Sequence, residues 1–156
     1  MIEVVRLVRA AFCADAASAF SGEGAALAGG RWNQKGTRAV YAASTRSLAA
    51  LEILVHIDRF DVPADYVFAS AQLDERDVVP VGDLPRDWRN PMRAAATVAL
   101  GQSFLLEQSA LALAVPSVVI PQERNYLINP AHPRFSALRI EPAVEPFAFD
   151  ARLFAA

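Results

Sequence analysis

Polar and apolar residues alternate from Ile2 to Val8, the two-residue period of a strand. Ala14 to Phe20 predicts a brief helix. Ser21-Gly22-Glu23-Gly24 and Gly29-Gly30 then frame a glycine-rich loop ending at Arg31-Trp32-Asn33. Gly36-Thr37 turns the chain into a strand from Arg38 to Ala42, and Ser44 or Thr45 caps a helix running to about Asp58. Tyr66 to Leu73 suits a strand, and Val78 to Val81 a shorter one. Asp83 to Trp88 reads as a loop, after which Asn90-Pro91 starts a helix to about Gln108, with Asn as cap and Pro in the first turn. The rest is β-like: Leu111 to Val115, Ser117 to Ile120, Asn125 to Ile128 and Leu138 to Glu141, with a turn from Pro121 to Arg124. Strands grouped mainly at the ends around two helices predict an α+β fold rather than a doubly wound sheet.

The helix after Thr45 carries the first chemical signal. Leu48, Leu51, Leu54 and Val55 form one apolar side, extended by Ile53 and Ile57. Glu52 falls only ~40° from Leu48 on an ideal wheel, and His56 another ~40° beyond. A carboxylate at that margin is at least partly buried and needs a cation or donor nearby. It is either half of a structural ion pair or part of a site, and Arg31 is its natural partner.

Arg31 follows Gly29-Gly30, where bare backbone can approach a ligand and a guanidinium can fork onto a pyrophosphate or carboxylate. The loop fits neither the GxGxxG nor the GK[ST] phosphate pattern, and a solvated arginine on a turn would look the same. Tyr41 near the end of its strand is either core or a ring that stacks on a flat heterocycle. Ser117 lies in an apolar run, as a small buried residue or a nucleophile; the GxSxG elbow is absent, although His56 or His132 could serve as base. Asn129-Pro130 and His132-Pro133 read as turn formers.

Composition narrows the classes. At 156 residues with 54% apolar and 21% charged residues, the chain reads as one folded domain spanning 1–156, not a disordered tail. Fifteen basic against seventeen acidic residues give a net charge of −2, a poor match to a phosphate backbone, so direct nucleic-acid binding is not expected. Lys35 is the only lysine, an arginine bias that fits both a GC-rich coding sequence and forked anion binding. Cys13 is the sole cysteine and His56 and His132 the only histidines, so neither a disulfide nor a metal site is expected. There is neither a leader-like segment nor an apolar run long enough to span a bilayer, which leads to the expectation of a cytoplasmic protein without membrane contact.

Taken in order, Gly29-Gly30-Arg31-Trp32-Asn33, Tyr41-Ala42-Ala43-Ser44, Ala50-Leu51-Glu52 and Val115-Pro116-Ser117 resemble the RES domain, which is named for an arginine, a glutamate and a serine, here Arg31, Glu52 and Ser117. The resemblance extends to Ser21-Gly22-Glu23-Gly24-Ala25 and to Asn125-Tyr126-Leu127-Ile128-Asn129-Pro130 with His132-Pro133, and covers about Arg6 to Leu153. Arg134, in place of an acidic residue, and Phe104, where the family often has tryptophan, depart from the pattern. The resemblance implies an ADP-ribosyltransferase-like mixed β-sheet core with flanking helices. It implies a bacterial toxin that consumes NAD⁺ as substrate, without metal, with water or inorganic phosphate as acceptor, or that transfers ADP-ribose to a protein. It also implies an Xre-type helix-turn-helix antitoxin covering the active site, and leaves room for a homodimer within the toxin–antitoxin complex. Under it, Glu52 stabilises the oxocarbenium-like transition state, Ser117 orients Glu52 or the ribose, and Arg31 holds the pyrophosphate or the nicotinamide ribose. Tyr41 flanks the nicotinamide ring, while Arg6 and Asn33 are further contacts to the dinucleotide. His56 is a neighbouring hydrogen-bonding or packing residue. A non-catalytic antitoxin-binding module is the alternative from another class; an RNA-cleaving toxin would want a basic groove and paired histidines that this sequence lacks.

Overall fold

The structure, a computed structural model, describes residues 1–155. The alternating N-terminus is β1 (Ile2–Arg9), in which Val4 and Val5 are both fully buried, so the strand is covered on both faces. A capping box opens α1 (Ala16–Ala19): the Ser18 amide donates to the Asp15 carboxylate at 2.7 Å, and the Asp15 amide donates back to the Ser18 hydroxyl at 3.2 Å. The expected glycine-rich loop contains a second helix, α2 (Glu23–Ala28), because the alanines and Leu27 around Gly24 outweigh its penalty.

The segment β2 (Val40–Ala43) leads into α3 (Arg46–Leu54), which Thr45 caps by accepting the Leu48 amide at 3.1 Å. This helix is shorter than its apolar pattern suggested: after Leu54 the chain tightens, with His56 N–H bonded to the Ile53 carbonyl and Ile57 N–H to that of Leu54. The strand expected at Tyr66 to Leu73 is β3 (Tyr66–Leu73), and β4 (Val78–Pro80) follows. Asn90 caps only a short 3-10 turn, Pro91–Arg93, and α4 (Ala95–Glu107) starts separately. Then come β5 (Ala112–Pro116), β6 (Arg124–Ile128), β7 (Arg139–Ile140) and β8 (Glu145–Phe147). The last went unread because Pro146 argues against a strand, yet β8 adds to β3 in a short three-residue ladder, where a proline is tolerated.

Among the described residues these strands form one sheet in the order β4-β5-β6-β2-β1-β3-β7, with β8 also on β3. Only β4–β5 is parallel. The expected α+β class with a mixed sheet is the fold observed. No helix among the described residues is long and apolar enough to cross a membrane.

Side-chain alternation sends Val40, Ala42, Tyr126 and Ile128 to one face, where Phe20 and Leu138 cover them. The other face is covered by two separate helices. Leu48 and Ala49 of α3 pack on Val5, Leu7 and Ala43, whereas Phe104 and Leu105 of α4 pack on Leu113, Val115 and Leu127. The gap between α3 and α4 positions the site. A second opening adjoins it: β1 and β3 are paired along eight residues, but β1 and β2 meet at one pair, Val5 opposite Ala43.

The wall on the α4 side depends on a close approach at Gly101, where an added Cβ would collide with the Trp32 backbone carbonyl. Gly24 in α2 has open space around its Cβ position. Gly101→Ala should therefore destabilise the protein by about 1–3 kcal/mol, whereas Gly24→Ala should be neutral or stabilise it by about 0.5–1 kcal/mol. Thermal unfolding of the two variants checks the pair; equal melting temperatures would contradict this packing.

Candidate active site

Glu52 lies two turns into α3, one turn after the buried Leu48, so capping by Thr45 determines which direction it faces. Its carboxylate is partly buried, and one oxygen, Oε1, accepts two hydrogen bonds of 2.6 Å, from the Ser117 hydroxyl and from the Asn125 side-chain amide. Glu52 Oε2 has no hydrogen-bond partner among the described residues.

The expected strand Ser117 to Ile120 does not form; the chain leaves β5 at Pro116 and turns. Ser117, fully buried, makes this turn itself. Its hydroxyl oxygen accepts the Val119 and Ile120 amides, both at 3.0 Å, and its own amide donates to the Glu123 carbonyl. With both lone pairs engaged and its only proton given to Glu52, this hydroxyl orients a carboxylate and is not poised as a nucleophile. Neither histidine bonds to it; His132 Nδ1 accepts the Arg134 amide instead.

The expected pairing of Arg31 with Glu52 is not what the structure shows. Arg31 Nη1 donates to the Trp88 carbonyl at 3.0 Å, bringing the Asp83 to Trp88 loop against the Gly29-Gly30 turn. Arg89 continues this contact by donating twice to the Val118 carbonyl, at 3.1 and 2.8 Å. Two neutral donors take the place at Glu52 that a cation was expected to fill.

Tyr41 connects the glycine turn to the sheet. Its hydroxyl donates to Asn33 Oδ1 at 2.6 Å and accepts the Trp32 amide at 3.0 Å. Gly30 is required beside it, since a Cβ there would fall 2.5 Å from the phenol oxygen. Burial pushes the Tyr41 phenol up to about 12, against smaller opposing effects of the Trp32 amide and Arg31. Asn33 was expected to contact the substrate. It is instead 1% exposed, and its amide donates to the carbonyls of Ala25, Gln34 and Thr37. With its side-chain amide and carbonyl committed to the chain, Asn33 braces the turn in this structure.

Arg6, Tyr41, Glu52 and Asn125 line both halves of a cleft, one of about 170 Å³ at the β1–β2 opening and one of about 390 Å³ toward Gly30, Arg31 and His56. The larger is within the range of small-molecule sites, ~300–1,000 Å³. Among the described residues no carboxylate forms an ion pair with Arg6, whose guanidinium carbon lies 6.0 Å from the centre of the Phe20 ring. Burial pulls Arg6 down to about 10, with Cys13 acting weakly in the other direction, so it remains cationic at neutral pH. The cleft is thus lined by both an unpaired cation and a carboxylate with one free oxygen, an arrangement that can bind an anionic group and stabilise positive charge.

A family model described as RES domain matches residues 4–150. The chain belongs to the RES-domain family. Curated relatives include "Toxin Res" of Yersinia enterocolitica, 38% identical over 139 residues, 88% of this chain and 91% of that protein. "Prs ADP-ribosylating toxin" of a Sphingobium species is 35% identical over 138 residues, 85% of each chain. Among solved structures, a chain of the Mycobacterium tuberculosis MbcT–MbcA toxin–antitoxin complex matches with a TM-score of 0.72 over 98% of this chain and 86% of that one. At 16% identity it shows a shared fold. The two departures from the RES pattern lie outside the cleft: Arg134 pairs at 3.0 Å with the buried Asp77, and Phe104 is buried against the sheet.

Sequence reasoning missed Asn125 as a site residue. Its signal was positional, a polar side chain opening a strand beside Ser117 in a hairpin, and no sequence period identifies that.

Tyr41→Phe leaves the Trp32 amide and Asn33 Oδ1 without their partner and should cost about 1–3 kcal/mol. Because the folded-state pKa is raised, the contribution of Tyr41 is fully present below about pH 10, the unfolded value, and is lost as pH rises toward about 12. Wild-type stability should therefore fall through that window more steeply than that of the Phe variant, as read by denaturant unfolding at each pH.

Proposed function

We propose that this RES-domain protein is the toxin of a toxin–antitoxin pair and that it consumes NAD⁺ by breaking the nicotinamide–ribose bond. The observation that carries this reading is the Glu52 carboxylate, held through one oxygen by neutral donors with the other left free, in a cleft that Arg6 also lines. As the glycosidic bond lengthens, the ribose acquires oxocarbenium character, and a carboxylate that keeps its full charge stabilises it. Nicotinamide leaves as a neutral molecule, so no strong acid is needed. Arg6 and Arg31 bind the anionic pyrophosphate, Arg31 by exchanging the Trp88 carbonyl for a phosphate oxygen. Tyr41 packs against the nicotinamide. Water or inorganic phosphate completes the reaction, as glycohydrolase or phosphorylase.

A second reading is transfer of ADP-ribose to a protein, supported by the Sphingobium relative named for ADP-ribosylation. Both readings use the same bond cleavage and differ in the acceptor. The partner is an antitoxin, of the Xre helix-turn-helix type, seated over the cleft; the exposed apolar side chains of Leu51 and Val55 beside it suit such a cover. The reading places the protein in the cytoplasm, with its 156 residues as one RES domain.

Glu52→Gln keeps the shape and removes the charge, so NAD⁺ consumption should fall at least ~100-fold with thermal unfolding unchanged. Full activity in this variant would refute the assignment. NAD⁺ labelled on its adenine half separates the readings: degradation leaves label in small molecules, transfer leaves it on a protein band.

A further inference from the structure

Asn125 enters β6 between two neighbouring strands, opposite Ala43 of β2 and Val115 of β5. The small side chain at Ala43 leaves the space through which Glu52 reaches the sheet, and the two side chains meet at 2.6 Å. The direction of the amide is fixed by charge. Nδ2 must point to Glu52, because Oδ1 in its place would set lone pairs against a carboxylate. The consequence is visible: Asn125 Oδ1 is buried and has no hydrogen-bond partner among the described residues. An acceptor left stranded in a folded protein has a cost. The position accepts that cost in order to aim a donor at the Glu52 carboxylate.

We propose that Asn125 is a positioning residue for Glu52. Its amide and the Ser117 hydroxyl converge on Oε1, so Oε2 alone is presented to the substrate, in one orientation and with its negative charge undiminished. An arginine or lysine could hold the carboxylate equally firmly, but it would cancel the charge that the developing oxocarbenium requires. Two neutral donors give position without neutralisation. Asn125 acts through the Glu52 carboxylate, so it controls the turnover step and leaves most of the substrate affinity to the arginines. This inference rests on the NAD⁺-cleaving function proposed above.

The test uses Asn125→Val and Asn125→Asp in the full chain, with NAD⁺ consumption measured beside thermal unfolding. Asn125→Val removes the amide together with its stranded acceptor. Its melting temperature should stay close to that of wild type, because the hydrogen bond lost at Glu52 Oε1 is offset by removal of the stranded acceptor, while kcat falls about 100-fold and KM stays within roughly threefold. Asn125→Asp keeps the shape and sets a second carboxylate against Glu52, so its kcat should fall at least as far. A Val variant whose kcat stays within threefold of wild type overturns the proposal. So does one whose melting temperature falls and whose activity returns on cooling, which marks a structural role. If the wild-type protein leaves NAD⁺ intact, the proposed function fails first and this inference fails with it. Active wild type with active variants refutes the positioning role alone.

Discussion

Two short hydrogen bonds onto one oxygen of Glu52 are the constraint around which the cleft is organised. Drawing a carboxylate partly out of water is costly unless its lost hydration is replaced. The chain replaces it with groups far from Glu52 in sequence, Ser117 just after β5 and Asn125 at the start of β6. Both belong to one hairpin, whose turn is held by the Ser117 hydroxyl accepting two backbone amides. The helix that carries Glu52 is started by Thr45 and anchored by Leu48 and Ala49 against the sheet. Neutral donors rather than a cation hold the carboxylate, so its negative charge is not balanced by a paired cation.

The remainder of the cleft follows from how the sheet is covered and where it opens. Two helices on one face leave a gap between them, and β1 and β2 share only the Val5–Ala43 pair. Arg6 reaches the cavity through that opening, a cation enclosed without a carboxylate. Such a charge is destabilising while it lacks an anionic partner, so under the proposed function pyrophosphate binding at this residue would also stabilise the fold. On the opposite wall Asn33, Tyr41 and Trp32 hold the Gly29-Gly30 turn in place, and Gly101 lets α4 lie close against it. Arg31 stands on that turn with one hydrogen bond to a loop carbonyl, which a phosphate oxygen can replace.

Much of this was legible in the sequence where a local rule acts. Alternation identified β1, a β-prone run identified β3, and Ser44 or Thr45 as a cap marked the start of α3, where Thr45 is the one that caps it. Glu52 was legible as a carboxylate forced inward by its place on the helix. Its partner was not: proximity of a Gly-Gly-Arg turn suggested Arg31, and only the hairpin register brings Ser117 and Asn125 to it. Ser117 was read as part of a strand because Val118, Val119 and Ile120 favour one, yet its hydroxyl bends the chain by competing for the Val119 and Ile120 amides. Asn33 sits within the motif segment but acts as a brace, a distinction that depends on burial. The ordered motifs identified the family, whereas the roles of individual residues required three dimensions.

The central claim is that this cleft breaks the nicotinamide–ribose bond, and nicotinamide release from NAD⁺ by the purified protein, free of any partner, tests it most directly. Chromatography with mass detection, run with and without phosphate, resolves the products. The account predicts free nicotinamide in equal amount to the NAD⁺ lost, accompanied by ADP-ribose, or by a phosphorylated ADP-ribose that appears only when phosphate is present. NAD⁺ recovered intact both alone and with cell protein added as acceptor would contradict it.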